Sequence, residues 1–186
     1  TSSVSALLRN RLTSLRTFSQ HSKMTRVTAG GRTKLNLVVD YIPDGSKCDT
    51  KRSLDIATTV TIHWIGPYPE QTPAQVRKYW IDSKGEASAH FIIKDDECLQ
   101  CWPISKAAWH AGCPSGNYSS IGIEVVPENK EGRFSDASIA TLKALLDKYF
   151  KNLPLVRHYD WSGKDCPKYY VDSNNWNDLL EKLGRG

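Results

Sequence analysis

From residue 35 onward, short runs rich in Val, Ile and Thr alternate with stretches whose apolar positions recur every three or four residues. The runs predict strands over 35–41, 58–64, 88–94, 97–102, 120–126 and 155–158, each bounded by turn-forming residues. Lys94-Asp95-Asp96-Glu97 reads as a tight hairpin joining the third strand to the fourth. Three helices are well marked. One follows Thr72-Pro73, an N-cap with proline in the first turn, runs through Trp80 and stops before Gly85. A second starts after Ser135 and gathers Ile139, Leu142, Leu145, Leu146 and Tyr149 on one face. The third begins near Asp172 or Ser173, carries Trp176, Leu179, Leu180 and Leu183, and ends at Gly184. The expected architecture is α/β: a single mixed sheet of about five or six strands flanked by three main helices.

The first 34 residues do not share this pattern. Val4, Leu7, Leu8, Leu12 and Leu15 fall at helical spacing, although Arg11 interrupts the stripe. The segment holds seven basic side chains and no carboxylate, which leaves eighteen basic against twenty acidic groups in the rest. The overall charge of +5 therefore belongs to the tail, and the body is slightly acidic. A nucleic-acid-binding domain carries its positive charge on its own face, so no nucleic-acid partner is expected. Residues 1–34 read as a basic appendage: a targeting presequence, a membrane-surface helix, or residues ahead of an internal start at Met24. Residues 35–186 read as one domain. No stretch is long and apolar enough to span a membrane, no secretory signal is visible, and a monomer is expected.

Five cysteines, Cys48, Cys98, Cys101, Cys113 and Cys166, form an odd set. Cys98 and Cys101 make a C-x-x-C, but within a strand positions i and i+3 face opposite sides. They read as packing thiols, and sequence alone leaves the disulfide state open.

The chemistry concentrates near the C-terminus, where His158 and Cys166 stand eight positions apart, with Lys164 before the cysteine and Pro167 after it. Imidazole and thiolate are both good zinc ligands. Upstream, His63 closes the apolar run Thr59-Val60-Thr61-Ile62 at a strand's C-terminal end. His63, His158 and Cys166 would give three protein ligands and one open position, the catalytic arrangement of zinc, with one ion per chain. Glu124 sits in the apolar strand Ser120-Ile121-Gly122-Ile123-Glu124-Val125-Val126, where alternation puts it on one face with Gly122 and Val126. Burying a carboxylate there is costly unless it is paired or functional. Glu124 is the expected general base, and Lys164 the expected oxyanion partner.

Together these residues resemble the type-2 zinc amidases, the N-acetylmuramoyl-L-alanine amidases of phage endolysins and bacterial autolysins, related to the peptidoglycan recognition proteins. The resemblance rests on His63, Ala89-His90-Phe91-Ile92-Ile93, Trp109-His110-Ala111-Gly112, Asn117 followed by the Ile-Gly-Ile-Glu strand, and His158 through Pro167. These occur in family order over roughly residues 35–183. It implies an amidase-like fold, zinc on His63, His158 and Cys166, and cleavage of the amide between N-acetylmuramic acid and L-alanine in bacterial peptidoglycan. Some members carry a catalytic tyrosine directly before the hairpin-strand histidine. Here that position is Ala89, so the proton chemistry falls to Glu124. Trp64, His90, Trp109, His110 and Asn117 are expected to line the substrate groove, with packing as the competing role and, for His90 and His110, orientation of a metal ligand as a third. The protein is expected to act at the bacterial cell wall, released by a phage holin or exported by another route. Two alternatives stand beside this one: a non-catalytic peptidoglycan recognition module, or a zinc amidase acting on soluble anhydromuropeptides.

Overall fold

The computed structural model describes residues 34–186 apart from Lys84. The amphipathic stripe expected over residues 4–15 lies outside these residues. Six strands form one sheet: β1 (Asn36–Val39), β2 (Thr59–Trp64), β3 (Phe91–Lys94), β4 (Glu97–Gln100), β5 (Ser120–Val125) and β6 (Leu155–Arg157), in the spatial order β1-β4-β3-β5-β2-β6. The β3–β4 hairpin is the antiparallel pair, and the remaining neighbours run parallel. Five α-helices are described: α1 (Pro73–Asp82), α2 (Pro114–Ser119), α3 (Asp136–Tyr149), α4 (His158–Ser162) and α5 (Ser173–Lys182). The expected three are the long ones. None is long and apolar enough to cross a membrane among the described residues.

Each long helix starts where its cap dictates. Thr72 and Gln75 form a reciprocal capping box at α1, with Pro73 in the first turn. Ser135 accepts from the Ser138 N–H at α3, and Asp172 accepts from two N–H groups at α5. Such caps satisfy donors that have no partner inside the helix, each contributing about 1 kcal/mol. The hairpin turn is pinned to the start of α3: Asp95, at φ 50°, receives Ser135 Oγ–H on its carboxylate and Thr141 Oγ1–H on its carbonyl.

Alternation along the strands sorts the core into two layers. Val60, Ile62, Phe91, Ile93, Ile121, Ile123 and Val125 pack on one face against Leu142, Leu145 and Leu146 of α3 and Leu179 of α5. Ile92, Leu99 and Val126 lie in the opposite layer with Val76 and Trp80 of α1 and with Trp102. Cys98 joins the first layer and Cys101 the second, as period-two alternation requires. All five cysteines are free thiols.

Two strands are shorter than expected. Residues 88–90 are extended but precede β3, because the N–H groups of Cys101 and Trp102 converge on the single His90 carbonyl and break the ladder. β6 stops at Arg157, since Asp160 accepts the Arg157 N–H at 2.7 Å and turns the chain into α4. His158 is therefore the first residue of a short helix and not the last of a strand.

Candidate metal centre

The second face of the sheet is only partly covered by α1, and the predicted chemistry collects on the remainder. β2 and β5 run parallel with His63 directly beside Glu124. On β2, alternation sends Thr61 and His63 to this face and Val60 and Ile62 to the α3 side. β6 pairs with the outer edge of β2, so the chain leaves the sheet one residue before His158, next to His63. The loop that follows is tied at both ends. The Tyr159 N–H donates to the Cys166 carbonyl at 2.8 Å, and Gly163, at φ 71°, ends α4 in the left-handed conformation that glycine favours. Trp161 Nε1–H donates to Thr61 Oγ1 at 2.9 Å, fastening α4 to β2.

This closure brings three donors together. Nδ1 of His63 and Nδ1 of His158 are 3.1 Å apart, Sγ of Cys166 is 3.7 Å from His63 Nδ1, and all three ligand atoms lie within 4.8 Å of one another. A tetrahedral zinc with ordinary Zn–N and Zn–S bonds separates its ligand atoms by roughly 3.3–3.6 Å. The donor set and its spacing therefore fit zinc. All three side chains are buried. Burial pushes the Cys166 thiol up to about 12, with Glu124 adding to the rise, and holds His158 down at about 4, with the Lys164 charge contributing. Burial, then the neighbouring histidines, keep His63 well below the usual range. Neutral imidazoles suit a metal as they stand, whereas the thiol must lose its proton on binding.

Glu124 is half-buried overall, but its Oε2 is fully enclosed and has no hydrogen-bond partner. Burial raises its carboxyl to about 8, with the Lys164 charge pulling the other way. Arg157, a conceivable partner for Glu124, is instead committed to Asp160 at 2.7 Å and to the Val171 carbonyl. Lys164 is exposed on the ligand loop, and its charge is felt at His63, His158, Cys166 and Glu124 alike.

Of the five residues expected in a substrate groove, four are placed otherwise. His90 is wholly buried, with Nε2 on the Lys106 carbonyl and Nδ1 receiving the Gly122 N–H, so neither nitrogen is free. Asn117 is buried too, and its Oδ1 accepts the N–H groups of His110 and Ala111, which shapes the 110–112 turn. Trp64 follows alternation to the α3 side of the sheet and packs over Gly132. His110 lies beneath His63 with Nδ1 3.0 Å from His63 Nε2, and so contacts a ligand and not open surface. Trp109 remains partly exposed, tilted against Tyr118, whose ring also carries the Arg52 guanidinium at 4.9 Å.

Two glycines that sequence reasoning passed over make room for this arrangement. A Cβ on Gly122 would stand 2.7 Å from His110 Cγ, and one on Gly112 would meet His158 Nε2 at 3.3 Å. A glycine inside a strand is a recognised sign of close approach by another group. Its position on the Glu124 face was the available signal.

The sequence pattern of the N-acetylmuramoyl-L-alanine amidase family matches residues 53–169. The N-acetylmuramoyl-L-alanine amidases XlyA and CwlH of Bacillus subtilis (strain 168) are similar to this chain. They are 30% identical over 159 residues and 33% identical over 154 residues, covering 82% and 77% of it. The chain covers 52% and 59% of those two proteins, so it spans about half the length of the curated relatives it matches. Among solved structures, the catalytic domain of XlyA aligns with a TM-score of 0.65 at 29% identity, covering 81% of this chain and 99% of that one. A mutant endolysin from Bacillus subtilis aligns with a TM-score of 0.65 at 28% identity, covering 82% and 100%. With this match over more than half its length, the chain belongs to the N-acetylmuramoyl-L-alanine amidase family.

Proposed function

We propose that residues 35–186 form a zinc-dependent catalytic domain. It hydrolyses the amide between the lactyl group of N-acetylmuramic acid and L-alanine in bacterial peptidoglycan. The observation that carries this reading is the convergence of two imidazole nitrogens and a thiol beside an enclosed, unpartnered carboxyl oxygen. Family membership supports the choice of bond. His63, His158 and Cys166 would hold one zinc per chain. When bound, the ion supplies a Lewis acid that polarises the amide carbonyl and eases ionisation of water.

The chain's own residues do the remaining work. Glu124 stands beside His63 in the sheet and its Oε2 has no competing hydrogen bond among the described residues, so it is available to take a proton from the attacking water. The same carboxyl then delivers that proton to the departing alanine amine, which leaves as a new N-terminus. Burial lifts the Glu124 carboxyl toward neutrality, where a group both accepts and returns a proton readily. Lys164, exposed and flexible, sets positive charge where the carbonyl oxygen becomes negative. The half-buried face of Trp109 next to Tyr118 offers apolar surface for the sugar or the stem peptide. The protein acts at the cell wall, as a monomer, with residues 1–34 as a separate basic appendage.

Digestion of purified wall followed by mass spectrometry tests the bond. Release of new N-terminal alanine, lost on chelation and on Glu124→Ala, is expected. New reducing sugars without free alanine amine would overturn the assignment.

A further inference from the structure

Behind the metal ligands lies a second tier of histidine that the proposed chemistry does not use. His110 Nε2 is 3.3 Å from the Ser120 carbonyl, and its Nδ1 is 3.0 Å from His63 Nε2. A carbonyl oxygen only accepts, so the His110 proton resides on Nε2. The ring is buried and its nitrogens meet the Ser120 carbonyl and His63, so it carries that one proton and its Nδ1 is a bare acceptor. The hydrogen shared with His63 must then come from His63 Nε2. A neutral imidazole has one N–H, which leaves Nδ1 of His63 as a free lone pair, directed toward His158 and Cys166.

We infer that His110 is a positioning residue for the metal centre, using the Ser120 carbonyl to lock His63 in the Nε2–H tautomer with Nδ1 free to bind the ion. The bare Nδ1 of His63 lies 3.1 Å from Nδ1 of His158, at the position where the proposed ion would sit. The pieces holding His110 are themselves held by hydrogen bonds and close packing. Asn117 fixes its backbone N–H at 2.9 Å, and Gly122 leaves space for the ring face. Gly122 in turn is held by its N–H to Nδ1 of the fully engaged His90. Partners of this kind fix ring orientation and raise ligand basicity, and their loss weakens metal binding by about 10- to 100-fold.

This inference rests on the zinc reading, and two measurements separate their fates. Zinc affinity is measured by chelator competition for wild type, His110→Ala and His110→Asn, the last placing an amide oxygen near the position of Nδ1. Affinity is expected to fall about 10- to 100-fold in the alanine variant and to recover largely in the asparagine variant. Long-range proton–nitrogen NMR on wild type is expected to show His63 protonated at Nε2, with or without zinc. An alanine variant that folds and binds zinc within threefold of wild type would overturn the inference, as would a His63 proton on Nδ1 in the chelated protein. If the alanine variant fails to fold, the wild-type tautomer decides. A wild type that binds no zinc would sink the metal reading alone, because the tautomer still reports on the relay.

Discussion

Glu124→Gln should change the pH dependence of folding stability in a direction opposite to that of an ordinary surface carboxylate. The Glu124 carboxyl titrates at about 8 in the folded chain against a normal value of 4.5, because burial disfavours its charge. Between those values the unfolded chain has lost the proton and the folded chain keeps it. The folded state then binds more protons, so stability falls as pH rises from about 4.5 to 8. Integrated from pH 5 to pH 8, full enclosure gives a loss of about 3 kcal/mol. The side chain is half-buried, and screening by solvent reduces the expected loss to about half that. His90, His110 and His158, held near 4, 3 and 4 by burial, act the other way below neutrality. They are common to both proteins and cancel in the comparison. Gln keeps the shape but has no proton to lose, and any cost of its buried amide is independent of pH. Urea unfolding in excess chelator, at pH 5, 6.5 and 8, gives the difference directly. Wild type should lose at least 1 kcal/mol more than the variant over this range. Equal losses would refute the burial argument and with it the idea of a carboxyl tuned toward neutrality.

Gly122→Ala should drive His110 back by roughly 0.7 Å to reach normal contact, stretch its 3.0 Å bond to His63, and weaken zinc binding about tenfold in chelator titration. Leu145→Ala, deep in the α3 layer on the other face, should cost about 3 kcal/mol in urea unfolding while leaving zinc affinity unchanged. Lys164→Met should lower kcat on purified wall about 10- to 100-fold with little change in KM, because an exposed charge beside the oxyanion serves the transition state alone. Cys166→Ser should abolish tight zinc binding in equilibrium dialysis, since a hydroxyl is a far poorer ligand than a thiolate.

The three donors that the structure brings together were legible because each is announced by local pattern: His63 by the apolar run it terminates, His158 and Cys166 by their shared loop. Glu124 was legible from period-two alternation, which placed it on the face opposite Ile123 and Val125. The fold followed from the same periodicities and from unambiguous caps at Thr72, Ser135 and Asp172. The surroundings of the site were not legible in the same way. His110 meets His63 across 47 residues, and that contact depends on an absent Cβ in a third segment. His90 and Asn117 were expected in the groove from the motifs they sit in, yet both are buried, His90 with both ring nitrogens engaged and Asn117 with its Oδ1 engaged. Trp64, expected in the groove with core packing as the competing role, lies on the α3 side of the sheet because neighbouring strand residues face opposite ways. The short helices α2 and α4 depend on caps supplied by Cys113 and the Arg157–Asp160 pair, which no periodic pattern marks.

β6 has three residues and hydrogen-bonds only to β2, at the margin of the sheet. One donor, His158, follows it immediately, a second, Cys166, ends the loop after α4, and the third belongs to β2 itself. An ion held by all three would act as a rivet across this seam, closing a loop of about a hundred residues. The margin of the sheet should then be as firm as the local zinc supply allows, while the α3 layer behind it stays indifferent. Stripping the ion would fray the enzyme from its working edge and leave the remainder folded, ready to be rearmed when metal returns.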